Sequence, residues 1–203
     1  MPPARGNNSL HRISAIPKWG SFKFFTVLVW ALFFVPCLQA QKSKPTDYQV
    51  KAVYLINFAR FVEWPDKLGM QQDSFTICVL GPDPFGRTLD TMLAGEKIAG
   101  RSAVAKRISA PQDSSDCRIL FVSSSETGSI NRMVEAANKQ GVLTVSDMPH
   151  FANRGGMIQF VTDEKKVRFE VNLTAAQRAG LTLSSELLKV ATLVRTNETA
   201  GDQ

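Results

Sequence analysis

Three short and almost wholly apolar runs constrain the fold of this chain more than any other feature. They lie at residues 75–80 (FTICVL), 118–122 (RILFV) and 142–145 (VLTV). Runs of this length without alternation are typical of strands that are covered on both faces, as in a parallel sheet. Before the last run, apolar residues at helical spacing predict a helix with one buried face, formed by Ile130, Met133, Val134 and Ala137. Strands that alternate with helices predict an α/β core with right-handed crossovers.

A further helix is expected before the first run. Thr46 and Gln49 have the spacing of a capping box, in which two side chains bond the free amides at a helix start. This helix should end near Trp64, because Pro65 disfavours helical geometry in the residue before it. After the first run, Asp83-Pro84 has the residue types of another helix start.

The C-terminal third predicts an antiparallel hairpin. Residues 157–161 and 167–171 have strand patterns, and the polar turn 163–166 joins them. Asn172 can cap the helical turn that follows. A second helix is expected after it, with one apolar side formed by Leu187, Leu188, Ala191 and Val194. The expected architecture is therefore a three-layer α/β sandwich, with a mostly parallel sheet and an antiparallel C-terminal edge hairpin.

Residues 1–40 have the pattern of a secretory signal peptide. They contain basic residues but no acidic one, and an apolar run at 24–35 precedes the small residue Ala40. The run is too short to span a bilayer comfortably, and an uncleaved N-terminal anchor is the alternative. We expect a periplasmic protein cleaved near Ala40, with a linker at 41–46, a single domain at 47–195 and a flexible tail at 196–203.

The net charge of +6 gives no argument for nucleic-acid binding. Cleavage after Ala40 would remove four of the 24 basic residues and none of the 18 acidic residues. The remaining chain would have 20 basic and 18 acidic residues, which is a net charge of +2. The sequence therefore predicts no nucleic-acid partner.

Two cysteines, Cys78 and Cys117, remain after the expected cleavage, because Cys37 lies in the signal peptide. An even number of cysteines in an exported protein suggests a disulfide. The alternative is two buried free thiols in neighbouring strands. Neither cysteine belongs to a C-x-x-C motif, so catalytic thiol exchange is not indicated.

Signatures of enzymes are mostly missing from residues 41–203. Their only histidine is His150, which cannot form a zinc site alone and has no matching serine or cysteine motif. The segment 81–86 (GPDPFG) has prolines where a dinucleotide-binding loop needs glycines, and the chain has no P-loop motif. The sequence predicts no catalytic residue, no metal ligand and no cofactor, although an unrecognised hydrolase stays an alternative.

Two sets of residues are candidates for binding a ligand or a partner. The aromatic end of the first helix, Phe58, Phe61 and Trp64, either packs on the sheet or forms a partner surface with Arg60 and Glu63 at its rim. Farther along, Glu170 lies on the polar side of a strand and Arg178 follows one short helix later. These two either pair with each other or hold the amine and the carboxylate of a small zwitterion.

Ligands of open parallel sheets bind beyond the carboxyl ends of the strands. Three expected loops have that position, at 81–83, 123–125 and 146–147. The serines at 123–125 could hold an anion at a helix start, but helix caps require the same residue types.

Five patterns, in this order along the chain, resemble the YfiR family of small periplasmic proteins. They are KAxYLxNFxxFxxWP at 51–65, ICVLGxDPFG at 77–86, CxILFVS at 117–123, GGMIxF at 155–160 and FxVNxxAAxxAGLxLSSxLL at 169–188. Each pattern alone is weak, but five in one order are specific. The resemblance covers nearly all of the expected mature chain.

This resemblance implies a regulator and not a catalyst. Family members bind the periplasmic sensor part of an inner-membrane diguanylate cyclase and keep it inactive, which lowers cyclic di-GMP signalling and biofilm growth. An outer-membrane lipoprotein partner can sequester the inhibitor. The inhibitor would act by preferring one of two receptor conformations.

The resemblance also concerns particular residues. Cys78 and Cys117 look like the usual bridge of the family, whereas a second bridge found in some members is missing, because no cysteine follows Cys117. Members are dimeric, which implies a homodimer. Some members bind an aromatic amino acid or a vitamin near the C-terminal strand, where Glu170 and Arg178 are the matching candidates. The alternative function is an exported small-ligand binding module that is accessory to a transporter or receptor system.

Overall fold

The computed structural model describes residues 45–65, 73–126, 128 and 130–194. Within these ranges the helices are α1 (Asp47–Phe61), α2 (Arg87–Leu93), α3 (Ile130–Lys139), α4 (Leu173–Arg178) and α5 (Ser185–Lys189). The strands are β1 (Val62–Glu63), β2 (Ser74–Leu80), β3 (Lys97–Ile98), β4 (Arg101–Ile108), β5 (Ile119–Val122), β6 (Leu143–Ser146), β7 (Ile158–Asp163), β8 (Lys166–Val171), β9 (Thr182–Leu183) and β10 (Thr192–Leu193). Short 3-10 helices form at Pro111–Asp116 and Ala152–Arg154.

The main sheet of the described residues has the strand order β10-β8-β7-β6-β5-β2-β4-β3. From β4 through β2, β5 and β6 to β7, all neighbouring strands are parallel. The hairpin of β7 and β8 is antiparallel, and the two-residue strand β10 pairs in parallel with the outer side of β8. The predicted α/β fold with a mostly parallel sheet and an antiparallel pair near its C-terminal edge is confirmed.

The sheet is buried on both faces, which is why its central strands are apolar at successive positions. On one face, α1, α2 and α5 pack on a core that includes Phe58, Ile77, Val79, Leu89 and Leu187. The other face is covered by α3 and includes Cys78, Leu80, Leu120, Met133 and Phe151. Successive residues of β2 therefore point into different cores, as the period of two requires.

Helix α1 begins as the sequence predicts and ends earlier. Thr46 accepts a hydrogen bond from the Gln49 amide, and the Gln49 side chain bonds the Thr46 amide, so the capping box is present. The helix ends at Phe61 and not near Trp64, because β1 leaves it to pair with β9. Val62, three residues before Pro65, is therefore already in the extended conformation that this strand pairing requires.

Two other expected helix boundaries are wrong. The helix expected to start at Pro84 begins at Arg87, because the Asp83 carboxylate accepts hydrogen bonds from the Phe85 amide and the Arg107 guanidinium. Asp83 therefore closes a turn in place of a helix cap. The last predicted helix ends at Lys189, since β10 pairs with β8 in place of a further helical turn.

The expected signal peptide at 1–40, most of the linker at 41–46 and the tail at 196–203 lie outside the described residues. Among the helices that the structure describes, none combines the length and the hydropathy that a membrane crossing requires.

Candidate functional site

Three of the predicted binding residues, Arg60, Glu63 and Trp64, line one cleft of about 430 Å³. The cleft lies where α1 ends and where parallel strands of the main sheet begin. Its other described walls are Ala59, Val62, Pro65, Phe75, Lys97, Ile98, Ala99, Arg101 and Arg118. The fold therefore brings residues from five segments of the chain to the end of the sheet at which the parallel strands begin.

The strand pair of β1 and β9 positions this cleft. Val62 lies opposite Leu183 and Glu63 opposite Thr182, and the Ser184 amide donates a hydrogen bond to the Phe61 carbonyl at 2.9 Å. Because successive side chains of a strand point to opposite faces, Val62 faces the core and Glu63 faces outward.

Pro65 then packs on Gly180. A Cβ atom at Gly180 would lie 3.4 Å from the Pro65 Cγ atom, and the Gly180 φ of +78° also disfavours any other residue.

The aromatic residues at the end of α1 have different environments. Phe58 is fully buried, stacks on Phe160 and contacts Phe169 edge-to-face, whereas Phe61 is 39% exposed. Trp64 is half-buried and packs its edge on Phe75, with 5.3 Å between ring centroids. Its indole Nε1 atom is buried and has no hydrogen-bond partner. Phe58 thus lies fully in the core and Trp64 packs partly against it, whereas Phe61 stays largely exposed.

Among the described residues that line the cleft, basic side chains outnumber acidic ones. Arg60 forms an ion pair with Glu96, and both side chains are partly exposed. Arg118 is buried, and this burial lowers the pKa of its guanidinium, as does the nearby charge of Arg101. Arg101 and Arg118 also have interactions of their own within the chain.

The other predicted pair, Glu170 and Arg178, lies in the C-terminal part. Glu170 is half-buried on β8, where its backbone partners are Gln159 of β7 and Thr192 of β10. Arg178 ends α4 and lines a second cleft of about 430 Å³ between α3 and α4, together with Asn138 and Arg154. Whether Glu170 and Arg178 hold a zwitterion together stays a prediction.

The carboxyl ends of the strands form a polar cluster that the sequence reasoning missed. The Lys51 ammonium donates to the Asp147 carboxylate at 2.7 Å, and the Tyr48 hydroxyl donates to the same carboxylate at 3.0 Å. Both charged side chains are only 11% exposed. Burial, the hydrogen bond to Asp147 and its negative charge raise the pKa of Tyr48 to about 12. The signal in the sequence is a lysine among apolar residues of α1, at the spacing of its buried face.

The loops predicted at these carboxyl ends are closed by internal hydrogen bonds. The Ser146 hydroxyl donates to the Val122 carbonyl at 2.7 Å and accepts from the Met148 amide at 3.0 Å. Asp83 is held by Arg107 at 2.9 Å. A cleft of about 460 Å³ does open beside Lys51 and Asp147, but their charges already neutralise each other.

Cys78 and Cys117 are joined by a disulfide, with 5.7 Å between their Cα atoms. The bridge links the middle of β2 to the residue before Arg118, and both cysteines are buried, with exposures of 0% and 4%. The bonded form, and not the alternative of two free thiols, is thus the one in the structure. In the part of the chain that the structure describes, no three His, Cys, Asp or Glu side chains are grouped so that they could hold a metal ion.

Comparison with known proteins gives a family and a fold. A family model described as YfiR/HmsC-like matches residues 48–192. No protein of curated function matches the chain in sequence.

Among solved structures, a conserved domain protein from Vibrio cholerae O1 biovar El Tor str. N16961 is similar, with a TM-score of 0.50 and 16% identity. The match covers 75% of this chain and 62% of that protein, so the chain spans less than two thirds of its length. At this identity the likeness shows the α/β fold alone.

Two further solved structures are more distant. The ABC domain from Streptococcus pneumonia, in complex with L-Trp, has a TM-score of 0.43 at 13% identity, over 59% of this chain and 55% of that one. A ligand-free, open substrate binding protein with adhesive properties from Clostridium difficile has a TM-score of 0.45 at 14% identity, over 72% and 59%. Both TM-scores are below 0.5, and neither match carries an argument about this chain.

Proposed function

We propose, from the premise that this chain belongs to the YfiR/HmsC-like family, that it is a periplasmic regulator of an inner-membrane diguanylate cyclase. It binds the periplasmic sensor part of the cyclase, represses it and thereby lowers cyclic di-GMP signalling. The observation that carries the proposal is the family match over residues 48–192, which includes nearly all the described helices and strands. The disulfide of Cys78 and Cys117 supports an oxidising compartment such as the periplasm.

The outward side of α1 and the cleft beside it are the proposed partner surface. Val53 and Phe61 are two of the large apolar side chains that remain exposed, at 46% and 39%. Their spacing of eight residues places them on one side of the helix. Arg60 and Glu63 stand next to Phe61 as charged neighbours. Aromatic and arginine side chains surrounded by polar groups are the residues that most often carry binding energy in protein interfaces.

Co-purification from native bacterial envelope, with the tagged protein as bait, tests this proposal. We expect a membrane protein with a diguanylate cyclase domain among the captured partners, and Phe61→Asp should weaken its capture about ten-fold or more. Val104→Asp is the matched control, because Val104 is 38% exposed but lies on the sheet face opposite α1. Recovery of no cyclase, or equal loss with both variants, would contradict the proposal.

The remaining parts of the proposal concern export and assembly. Residues 1–40 would be removed near Ala40, which N-terminal sequencing of the periplasmic protein checks.

An outer-membrane lipoprotein would compete with the cyclase for the protein, and a homodimer would be detected by light scattering. The protein would repress by occupancy without acting as an enzyme, so purified protein should turn over no substrate in a broad esterase and phosphatase screen.

A further inference from the structure

The cleft between α3 and α4 contains a buried hydrogen-bond acceptor that has no donor. The volume of this cleft is about 430 Å³, which lies within the roughly 300–1,000 Å³ of small-molecule sites. The acceptor is the Oδ1 atom of Asn138, in the last turn of α3. Buried acceptors in native proteins nearly always have a donor. A ligand that donates a hydrogen bond would therefore supply what this atom lacks.

The orientation of the Asn138 amide is fixed by the turn before β7. Its Nδ2 atom donates to the Gly155 carbonyl at 3.1 Å. A carbonyl oxygen only accepts, so the reversed amide would place two oxygen atoms against each other. The atom without a partner is thus the oxygen. An ionised carboxylate has no proton to donate and cannot be its partner, whereas a hydroxyl group can.

The exposed polar groups around Asn138 both donate and accept hydrogen bonds. They are the amides of Asn131 and Asn153 and the hydroxyl of Thr174. The Asn131 Oδ1 atom accepts from the Arg154 Nε atom at 3.2 Å, which leaves the amide nitrogen as a donor for other contacts. A ligand hydroxyl also donates and accepts, so neighbouring hydroxyls match these groups better than acceptor atoms alone.

The charged side chains of the cleft do not require an ionic ligand. Glu135 and Lys139 form an ion pair with each other at 2.8 Å, and both are exposed. Arg178 has interactions of its own within the chain, so its charge is not counted as open to a ligand. Among the described residues of the wall none is aromatic, and an aromatic ligand would find no ring to stack on. The wall thus favours a neutral and non-aromatic ligand.

We propose that this cleft binds a neutral polyhydroxy compound of the size of a single sugar ring, with one hydroxyl donating to the Asn138 Oδ1 atom. In the structure this atom is covered by its neighbours, so a side chain of the wall shifts when the ligand enters. Lys139 and Arg154 are exposed and can shift without disturbing the core. Such a site goes beyond the proposed function, because it requires no partner protein, and its ligand differs from the aromatic ones that the family resemblance implies.

Matched sugars separate the hydroxyl donors from the rest of the ligand. D-Glucose carries the donors, and fully O-methylated glucose keeps the ring and its acceptor oxygens without any O–H group. The purified protein is titrated with each sugar, and the side-chain amide resonances of Asn138 are followed by NMR after assignment by comparison with Asn138→Ala. We expect glucose to shift these resonances at concentrations of roughly 10 mM, and the methylated sugar to bind about ten-fold more weakly.

Two further compounds identify the source of the sugar and test the class of ligand. Cellobiose carries the same ring within a chain, so tighter binding than glucose would identify glycans as the source and weaker binding would identify free sugars. L-Tryptophan represents the aromatic ligands of the family. It should not displace glucose, because the described wall offers its ring no aromatic contact.

Variants locate the bound sugar. Asn138→Ala removes the acceptor and should weaken glucose binding about ten-fold. Thr174→Val, at an exposed position, removes only a hydroxyl and should weaken binding less, by about three-fold. Asn57→Ala is the matched control, because it removes another half-buried amide, on α1 and outside the cleft, and should leave binding unchanged. Thermal melting of each variant shows that lost binding is not lost folding, and Thr174→Val retains the test if Asn138→Ala unfolds.

The proposal is wrong if roughly 100 mM glucose leaves the Asn138 amide resonances unshifted, if the methylated sugar binds equally well, or if L-tryptophan displaces glucose. It is also wrong if Asn57→Ala weakens binding as much as Asn138→Ala, or if every folded variant of the cleft binds glucose unchanged. Because the titration contains no cyclase, its failure leaves the repressor proposal standing, and a failure to capture a cyclase leaves the sugar site standing.

Discussion

The two ends of the parallel strands differ in how their polar groups are satisfied. At the carboxyl ends, Asp147 accepts from Lys51 and Tyr48, and the Ser146 hydroxyl both donates and accepts. At the amino ends, basic side chains gather round Trp64, whose N–H has no acceptor. The general rule for open α/β sheets places ligands at the carboxyl ends. Among the described residues, the buried indole N–H of Trp64, which has no partner, lies at the opposite end.

This difference shows that topology alone does not decide where a buried polar group is left without a partner. The carboxyl-end cluster is neutral and internally bonded, which suits a structural role for the ion pair. The amino-end cleft is lined by more basic than acidic described residues, and it contains a buried donor, the Trp64 Nε1 atom, that has no hydrogen-bond partner. Three sets of substitutions test this contrast, in order of decreasing effect on stability.

Removal of the Asp147 carboxylate should have the largest effect on stability. Asp147→Ala leaves the Lys51 ammonium buried without its counter-charge, which should lower the free energy of unfolding by about 3–5 kcal/mol. Lys97→Gln at the amino end should change it by about 0.5 kcal/mol or less, because Lys97 is exposed. Urea denaturation followed by circular dichroism measures both values. Similar losses in the two variants would remove the contrast.

Loss of the disulfide should have the next largest effect. Cys78→Ala combined with Cys117→Ala should lower the free energy of unfolding by about 2–4 kcal/mol, since the bridge spans 39 residues. Because Cys117 directly precedes Arg118, we expect faster amide hydrogen exchange near the amino-end cleft than near Asp147. Uniform acceleration would show that the bridge supports both ends alike. An unchanged urea midpoint would contradict the stabilising role.

The Tyr48 hydroxyl should give a smaller, pH-dependent effect. Its pKa in the folded protein is raised to about 12, above its ordinary value of 10.0. Between these values the unfolded chain loses the proton first, so stability is complete below pH 10 and falls as the pH rises towards 12. After allowance for solvent screening, the fall is about 1 kcal/mol.

Urea midpoints between pH 9 and 12 measure this fall, and Tyr48→Phe should remove it. Tyr54→Phe, at the only other tyrosine of the chain, is the matched control and should keep it. A pH dependence that survives in Tyr48→Phe would assign the effect to other groups.

The sequence predicted the regular part of the fold well, because its signals there are strong. The runs at 75–80, 118–122 and 142–145 correspond to β2, β5 and β6, and the capping box begins α1 where expected. Short elements were predicted poorly. Strands β1, β9 and β10 have two residues each, too few for a periodic pattern, and their pairing comes from residues far along the chain.

The candidate site was predicted in part for the same reason. Arg60, Glu63 and Trp64 are neighbours in the sequence, so an aromatic helix end with charged residues pointed to them directly. Lys97, Arg101 and Arg118 join them only through the parallel order of β4, β2 and β5. No local pattern marks a lysine or an arginine as part of a cleft. The Lys51–Asp147 pair was missed because its members are 96 residues apart.

The α/β class, the helix starts at Thr46 and Asn172 and the family follow from the amino-acid sequence, because these depend on local composition, on periodicity and on ordered motifs. Which polar groups have a hydrogen-bond partner and which do not became visible only in the folded protein. A hydrogen bond or an ion pair depends on distances between residues that the chain separates widely, and sheet order sets those distances. The bonded cluster of Lys51, Tyr48 and Asp147 at the carboxyl ends and the basic side chains gathered at the amino ends are therefore properties of the packing.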